Sequence, residues 1–287
     1  MKIIITGGTG FLGKRLSRKL KSEGHEILSY DIIDGYDILN VEQMKETIIS
    51  FKPYTIIHLA ACSDLNIFAK NPEISHKINV IGTRNMLTLC EEHNVRLLFA
   101  STCCAYGNND THPTDETSPT CPTEPYAKSK KESEKDILEV GLPHCCMRLA
   151  TFYGPEMRAA LAPAVFIDKA HRKETIEIHG SGNQTRTMTY VDDIVNGIIT
   201  IVFSQPKFTI VNVTTEESVS VLDMIKHAKN VTGNDVKCVN IEDRNGQIYK
   251  EVIHSKRLQS LGWKWKTSFE EGMRESYRYY IQNNYKW

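Results

Sequence analysis

The chain has 287 residues, 40% of them apolar, and its 35 Lys plus Arg balance 35 Asp plus Glu. It is long enough for a large core in one big or two modest domains, and it carries no global charge for nucleic acid or an anionic membrane. Met1-Lys2-Ile3-Ile4-Ile5 runs straight into a glycine turn, no stretch is apolar long enough to span a bilayer, and the eight cysteines lack zinc-site spacing. The expectation is a cytoplasmic protein with reduced thiols, no metal and a small, locally recognised ligand.

Along the chain, short apolar runs alternate with longer amphipathic stretches. KIIIT (2–6), HEILSYD (25–31), TIIHLAA (55–61), RLLFAST (96–102) and HCCMRLA (144–150) read as buried strands, because their apolar residues are contiguous and bounded by polar or turn residues. FLGKRLSRKLKSEG, VEQMKETIISF, NVIGTRNMLTLCEEHN and SKKESEKDILEVG between them read as helices. This rhythm predicts an α/β fold of Rossmann type, a doubly wound parallel sheet over residues 1–155. Beyond it a helix near 161–173, a strand IEIHG, a loop SGNQTRT and helices from Val191, in VSVLDMIKHAKNVTG and in SFEEGMRESYRYYIQ predict a smaller substrate-binding lobe over 156–287, partly interleaved with the first domain.

The first chemical motif is TGGTGFLG. Gly7, Gly10 and Gly13 follow a strand and open a helix, so the backbone turns tightly and brings amides, those of Phe11 and Leu12 among them, to a pyrophosphate. Asp31 stands eighteen positions past Gly13, at the end of the second strand, where a carboxylate can accept both hydroxyls of an adenosine ribose. Its charge repels a 2'-phosphate, which points to NAD rather than NADP. The plain alternative is a glycine-rich turn with an Asp that caps the next segment.

The second constellation is Tyr126 with Lys130, four residues apart on one helix face. An ammonium beside a phenol favours phenolate, so the tyrosine pKa is expected to fall toward the working pH of a general acid/base. Thr102 ends the fourth strand on the carboxyl edge where open α/β sheets bind ligands, within reach of the same substrate oxygen.

Taken in order, these segments resemble the extended short-chain dehydrogenase/reductases, specifically the NAD-dependent epimerase/dehydratase family acting on nucleotide sugars. The resemblance spans essentially the whole chain. It implies a cofactor site including Asp37-Ile38, Leu59, Ala60 and Ala61 of HLAA, and Asn79 of NVIGTRN, with Thr102, Tyr126 and Lys130 as the catalytic set. FYGP (152–155) and GSGNQTRTMTYVDD (180–193) look like sugar-nucleotide segments, with Thr151 and Arg186 as substrate contacts and Arg186 as a diphosphate clamp. RNGQ near Arg244 and SKRLQSLGW near Ser255 resemble the family's C-terminal elements. A homodimer through the helices flanking Tyr126 is implied as well.

The resemblance implies hydride transfer at a sugar carbon, commonly C4, but this chain departs from the pattern in places. The 4,6-dehydratases carry Asp-Glu directly after the catalytic Thr, where this chain has Cys103-Cys104. A cysteine at the place of Cys104 exchanges a carbon-bound proton in some relatives, but the partner histidine they use is Ala160 here. Cys104 is therefore a catalytic candidate, with packing as the alternative; Cys145-Cys146 lie inside a strand and read as core. Asn and Asp are common where Thr151 and Thr187 stand. His171 and His179 read as surface or loop residues. The first expectation is a nucleotide-sugar 4-epimerase with bound NAD. The alternatives are an NAD(P)H-dependent 4-ketosugar reductase or epimerase/reductase using Cys104, then a dehydratase or a non-catalytic NAD-binding protein.

Overall fold

A computed structural model describes residues 1–63, 70–109, 112–205, 207–243 and 248–287; the RNGQ motif lies outside the described residues. Its strands are β1 (Lys2–Thr6), β2 (Glu26–Tyr30), β3 (Thr55–His58), β4 (Arg96–Thr102), β5 (His144–Leu149), β6 (Thr151–Tyr153), β7 (Ile176–His179), β8 (Thr185–Tyr190), β9 (Ile210–Val213), β10 (Ser218–Ser220) and β11 (Cys238–Ile241). The helices are α1 (Phe11–Ser22), α2 (Val41–Phe51), α3 (Pro72–His76), α4 (Gly82–His93), α5 (Pro125–Leu138), α6 (Ala162–His171), α7 (Val191–Ser204), α8 (Val221–Thr232), α9 (Lys256–Ser260) and α10 (Phe269–Gln282), with a π-helical turn Lys77–Ile81 joining α3 to α4.

Among the described residues the central sheet has six strands in the order β2-β1-β3-β4-β5-β9, all parallel. Ile3, Ile4 and Ile5 are all buried because both faces of β1 are covered. One face packs Ile3 and Ile5 with Leu12 and Leu16 of α1 and Ile194 and Ile198 of α7; the other packs Ile4 with Met44 and Ile48 of α2 and Met86 of α4. Burial of one such side chain contributes about 1.5–3 kcal/mol, so these two layers carry most of the cohesion. A separate core joins α6, α8, α10 and Tyr153 with β7 and β8. Residues 191–213 return to the central sheet as α7 and β9, so the carboxyl-terminal half contributes to both cores.

Several elements differ from the sequence reading, for identifiable reasons. Thr185, Arg186 and Thr187 are not loop: they begin β8, which pairs antiparallel with β10 and parallel with β6. Alternating polar residues hide this strand in the sequence, and the pairing decides it. β9 is a sixth central strand that the sequence reading omits. The helix carrying Tyr126 starts at Pro125, a turn earlier than the apolar pattern suggests, because proline is preset for the first helical position. Residues 218–220 are strand, and the helix after them is set by a capping box between Ser220 and Asp223. Among the described residues, no helix is long and apolar enough to cross a membrane.

Candidate active site

The carboxyl ends of β1, β2 and β3 lie level, since Thr6 pairs with both Tyr30 and His58, whereas β4 runs on past Phe99, the partner of His58, to Thr102. This stagger creates a shelf with a raised side.

The shelf is built from glycines. Gly7 has φ +67°, and a Cβ there would lie 2.8 Å from the Ala60 nitrogen. A Cβ on Gly13 would lie 2.2 Å from the Gly7 carbonyl oxygen, so α1 approaches the turn as closely as backbone allows. Gly10 caps α1 without a side-chain hydrogen bond, and no acidic residue occupies the first turn. The helix start, with the amides of Phe11 and Leu12, is a positive, uncapped end suited to a phosphate. The two side chains point elsewhere: Leu12 is buried in the core and Phe11 stacks on Phe152 at 5.6 Å.

Asp31 accepts from the Thr9 amide (3.1 Å) and, as cap of a short turn, from the Ile33 amide (3.1 Å). It is thus a cap and also ties the glycine turn to β2; its oxygens keep further lone pairs for a diol. Asp37 accepts from the Leu39 amide at 2.9 Å, and Ile38 packs so tightly on Gly82 that a Cβ there would meet its Cδ1 at 2.6 Å. Leu59 and Ala60 are partly buried, one on each face of the sheet, and Ala61 follows them out of β3. A dinucleotide with its pyrophosphate at the glycine turn fits this cradle.

Asn79 is fully buried, and its amide is spent on Cys62 N (2.7 Å), Cys62 O (3.1 Å) and Ser129 Oγ (3.0 Å). These bonds pin the segment after β3 to the helix of Tyr126.

Beneath the shelf lies a buried polar network that the sequence reading missed. His58 meets Thr6 Oγ1 at 2.7 Å through Nδ1 and Thr83 Oγ1 at 3.0 Å through Nε2. Thr83 donates its single proton to Asn79 O (2.6 Å), so Nε2–H is the donor and Nδ1 accepts from Thr6, whose oxygen accepts in turn from Ala60 N (3.1 Å). Burial, and secondarily the charge of Lys130, push His58 down to about 3, in keeping with this neutral tautomer.

On the raised side, Thr102 is buried at the end of β4 and accepts from the Cys104 amide (3.2 Å), starting a 3-10 turn over Cys103–Tyr106. Tyr126 opens α5, half-buried, and feels Cys104, Arg158 and Cys62. The structure therefore brings Thr102, Cys104 and Tyr126 together. It does not reproduce the expected fall in the Tyr126 pKa. Burial drives the phenol well above its ordinary value, and the cation opposing this is Arg158. Lys130 is itself fully buried with its Nζ 4.6 Å from the centre of the Phe99 ring, and burial pushes it down to about 7, partly countered by Glu134. Burial, then Glu251, also push the Cys104 thiol up to about 11. It lies on the opposite side of its ordinary value from where an activated thiol belongs.

The residues expected to contact substrate sit on the three-stranded sheet β10-β8-β6. Thr151 begins β6 opposite Met188 of β8. Arg186 of β8 donates through Nη1 to Thr185 O (2.8 Å) and Ile248 O (2.6 Å), anchoring the strand to the segment 248–253. Thr187, where the family often has a carboxylate, is fully buried and its amide donates to Glu251 Oε1 (3.1 Å). Glu251 thus supplies a carboxyl beside residue 187 from a distant segment. His171 bonds Tyr277 Oη (3.1 Å) and His179 bonds Glu242 O (3.0 Å), away from this cluster.

Comparison with known proteins fits this geometry. The family model "NAD dependent epimerase/dehydratase family" matches residues 3–214. The chain belongs to this family. Its cofactor is accordingly NAD, and the shape of the glycine cradle suits such a dinucleotide. A putative UDP-glucose 4-epimerase of Methanocaldococcus jannaschii is 28% identical, covering 98% of this chain and 99% of its own. UDP-glucuronic acid decarboxylase 1 of Xenopus tropicalis is also 28% identical, over 97% of this chain and 72% of its own. Among solved structures, UDP-glucose 4-epimerase of Thermotoga maritima with UDP-glucose superposes with a TM-score of 0.93 at 28% identity, covering 99% of this chain and 100% of that one. Members with such names modify nucleotide sugars in different ways, and NAD-dependent nucleotide-sugar chemistry is what they share.

Proposed function

We propose that this protein is a UDP-hexose 4-epimerase that removes hydride from C4 of the sugar and returns it to the opposite face. Bound NAD supplies the hydride acceptor and donor. Thr102 Oγ holds the C4 oxygen, and Tyr126 exchanges its proton with that oxygen. Lys130 supplies positive charge beneath the site, and Arg186 faces the diphosphate.

The observation that carries this reading is the thiol after Thr102. A dehydratase needs an acid and a base there; this chain has Cys103 and Cys104, and Cys104 stays protonated at neutral pH with its pKa near about 11. Proton exchange at the carbon beside the ketone is poorly served, whereas hydride removal and return need only Thr102 and Tyr126. The UDP-glucose 4-epimerase names of the archaeal relative and of the Thermotoga structure point the same way. A homodimer through the helices beside Tyr126, and a cofactor domain 1–155 with a substrate lobe 156–287, belong to the same proposal.

The test is incubation with UDP-glucose, UDP-galactose and UDP-glucuronate in heavy water without added cofactor, followed by NMR. Inversion at C4 of the hexose without deuterium uptake is expected. Deuterium at C3 or C5, or turnover only with a 4-ketosugar and NADH or NADPH, would replace the proposal with an epimerase/reductase; carbon dioxide release from UDP-glucuronate would replace it with a decarboxylase.

A further inference from the structure

Below the turn that carries Cys104, an ion pair is sealed in the protein. Glu134 and Arg148 are almost fully buried, joined by Arg148 Nε and Nη2 at 2.9 and 2.8 Å. Ser101 Oγ donates to the same carboxylate at 2.5 Å, and Lys131 Nζ at 3.0 Å. Removing two charges from water costs several kcal/mol per ion, and apolar residues of similar volume commonly serve stability as well or better. The connections suggest what the pair is for.

Each partner ties to a different part of the catalytic set. Ser101 directly precedes Thr102 on β4 and pairs across the sheet with Arg148 of β5. Glu134 lies one turn beyond Lys130 and two beyond Tyr126 on α5. Arg148 also holds the turn between them: its guanidinium lies 4.7 Å from the centre of the Tyr106 ring, and its carbonyl accepts from Cys103 Sγ at 3.3 Å. Tyr106 Oη donates onward to Asn212 of β9 at 2.7 Å. The strand bearing Thr102, the turn bearing Cys104 and the helix bearing Tyr126 and Lys130 thus meet at one ion pair.

We propose that Glu134, through Ser101 and Arg148, is the positioning residue of this active site, fixing the strand of Thr102 against the helix that carries Tyr126 and Lys130. This rests on the assignment of Thr102, Tyr126 and Lys130 as the reacting set. One turn along the same helix, Glu134 also raises the affinity of Lys130 for its proton, while His58 on β3 is neutral and Arg148 and Lys131 face Glu134. Without the carboxylate, burial is left unopposed and pushes the ammonium further toward neutrality.

Two readouts test this. In full-length protein with carbon-13-labelled lysine, the Lys130 side-chain resonance, assigned with Lys130→Arg, is titrated by NMR. Glu134→Gln, and the charge-free pair Glu134→Met with Arg148→Leu, should each lower the Lys130 midpoint by about one unit. In turnover, Ser101→Ala keeps the ion pair but loses its strand contact, and kcat should fall about tenfold with KM unchanged. The charge-free pair should fold and melt near the wild-type temperature, yet lose activity at lower pH than wild type as pH rises. If Glu134→Gln does not fold, the other two variants carry the test. An unmoved Lys130 midpoint, or wild-type kcat and pH profile in the charge-free pair, would reduce the network to packing. Wild-type protein that shows the Lys130 shift but epimerises no sugar would instead unseat the proposed function and leave the electrostatic role standing.

Discussion

Gly13→Ala probes the cofactor cradle at its tightest point. The added Cβ would lie 2.2 Å from the Gly7 carbonyl oxygen and 2.7 Å from Gly8 Cα, both backbone atoms that cannot rotate away. Relief requires α1 and the glycine turn to part by about 1 Å, since heavy atoms in contact sit about 3.5 Å apart and little under 3.2 Å is tolerated. Overpacking of this kind costs about 1–3 kcal/mol, and in a chain of this size 1 kcal/mol moves the melting temperature by about 2–4 °C. The same displacement shifts the amides meant for the pyrophosphate, so NAD affinity should fall at least about tenfold, or about 1.4 kcal/mol. Gly24→Ala is the control: its φ is +84° and a Cβ there has nothing within 4 Å. It should cost about 1–2 kcal/mol of stability through left-handed backbone alone and leave NAD binding untouched. Calorimetric titration of both variants with NAD, together with thermal melts, separates the effects. Wild-type NAD affinity in Gly13→Ala would refute the placement of the cofactor at this turn.

Three further outcomes are expected. Tyr126→Phe should lower kcat at least about a thousandfold while NAD binding, measured by titration, stays within about twofold, as for loss of a general acid/base; near-normal turnover would remove Tyr126 from the mechanism. Cys104→Ala should retain kcat within about threefold, because a thiol pushed up to about 11 is not a base at neutral pH; a hundredfold loss would restore it to the chemistry. His58 is held at about 3 in the folded protein against 6.5 as its ordinary value. The unfolded chain therefore binds the extra proton between these values, so the contribution is full above pH 6.5 and is lost as pH falls toward 3. Urea midpoints at pH 7.5 and 5 should thus fall more steeply with acid for the wild type than for His58→Gln; equal slopes would contradict the buried neutral tautomer.

The residues that announce the site are those whose chemistry is tied to local spacing. Gly7, Gly10 and Gly13 need only a preceding strand and a following helix, and both are visible as apolar periodicity. Tyr126 and Lys130 share a face because they are four apart on one helix. What escaped was non-local. Thr185, Arg186 and Thr187 look like loop until β10 and β6 pair with their strand. Glu251 comes to residue 187 from a segment 64 positions away. Asn79 has a motif that suggests ligand contact, yet its amide is consumed by Cys62 and Ser129. A signal for the Glu134–Arg148 pair was present: an arginine within the mostly apolar core strand HCCMRLA needs buried hydrogen-bond partners, and a carboxylate is one way to supply them.

By itself, then, the sequence determined the alternation of strands and helices, the glycine turn and the tyrosine–lysine pair, because each depends on neighbours within a turn or two of chain. Only the tertiary structure decided the protonation of those groups. Burial pushes Tyr126 up, Lys130 down to about 7 and Cys104 up to about 11, the first against the expectation from local charge. A pKa in a protein is set by the loss of water and by charges arriving from other elements, and neither is written in the spacing of residues along the chain.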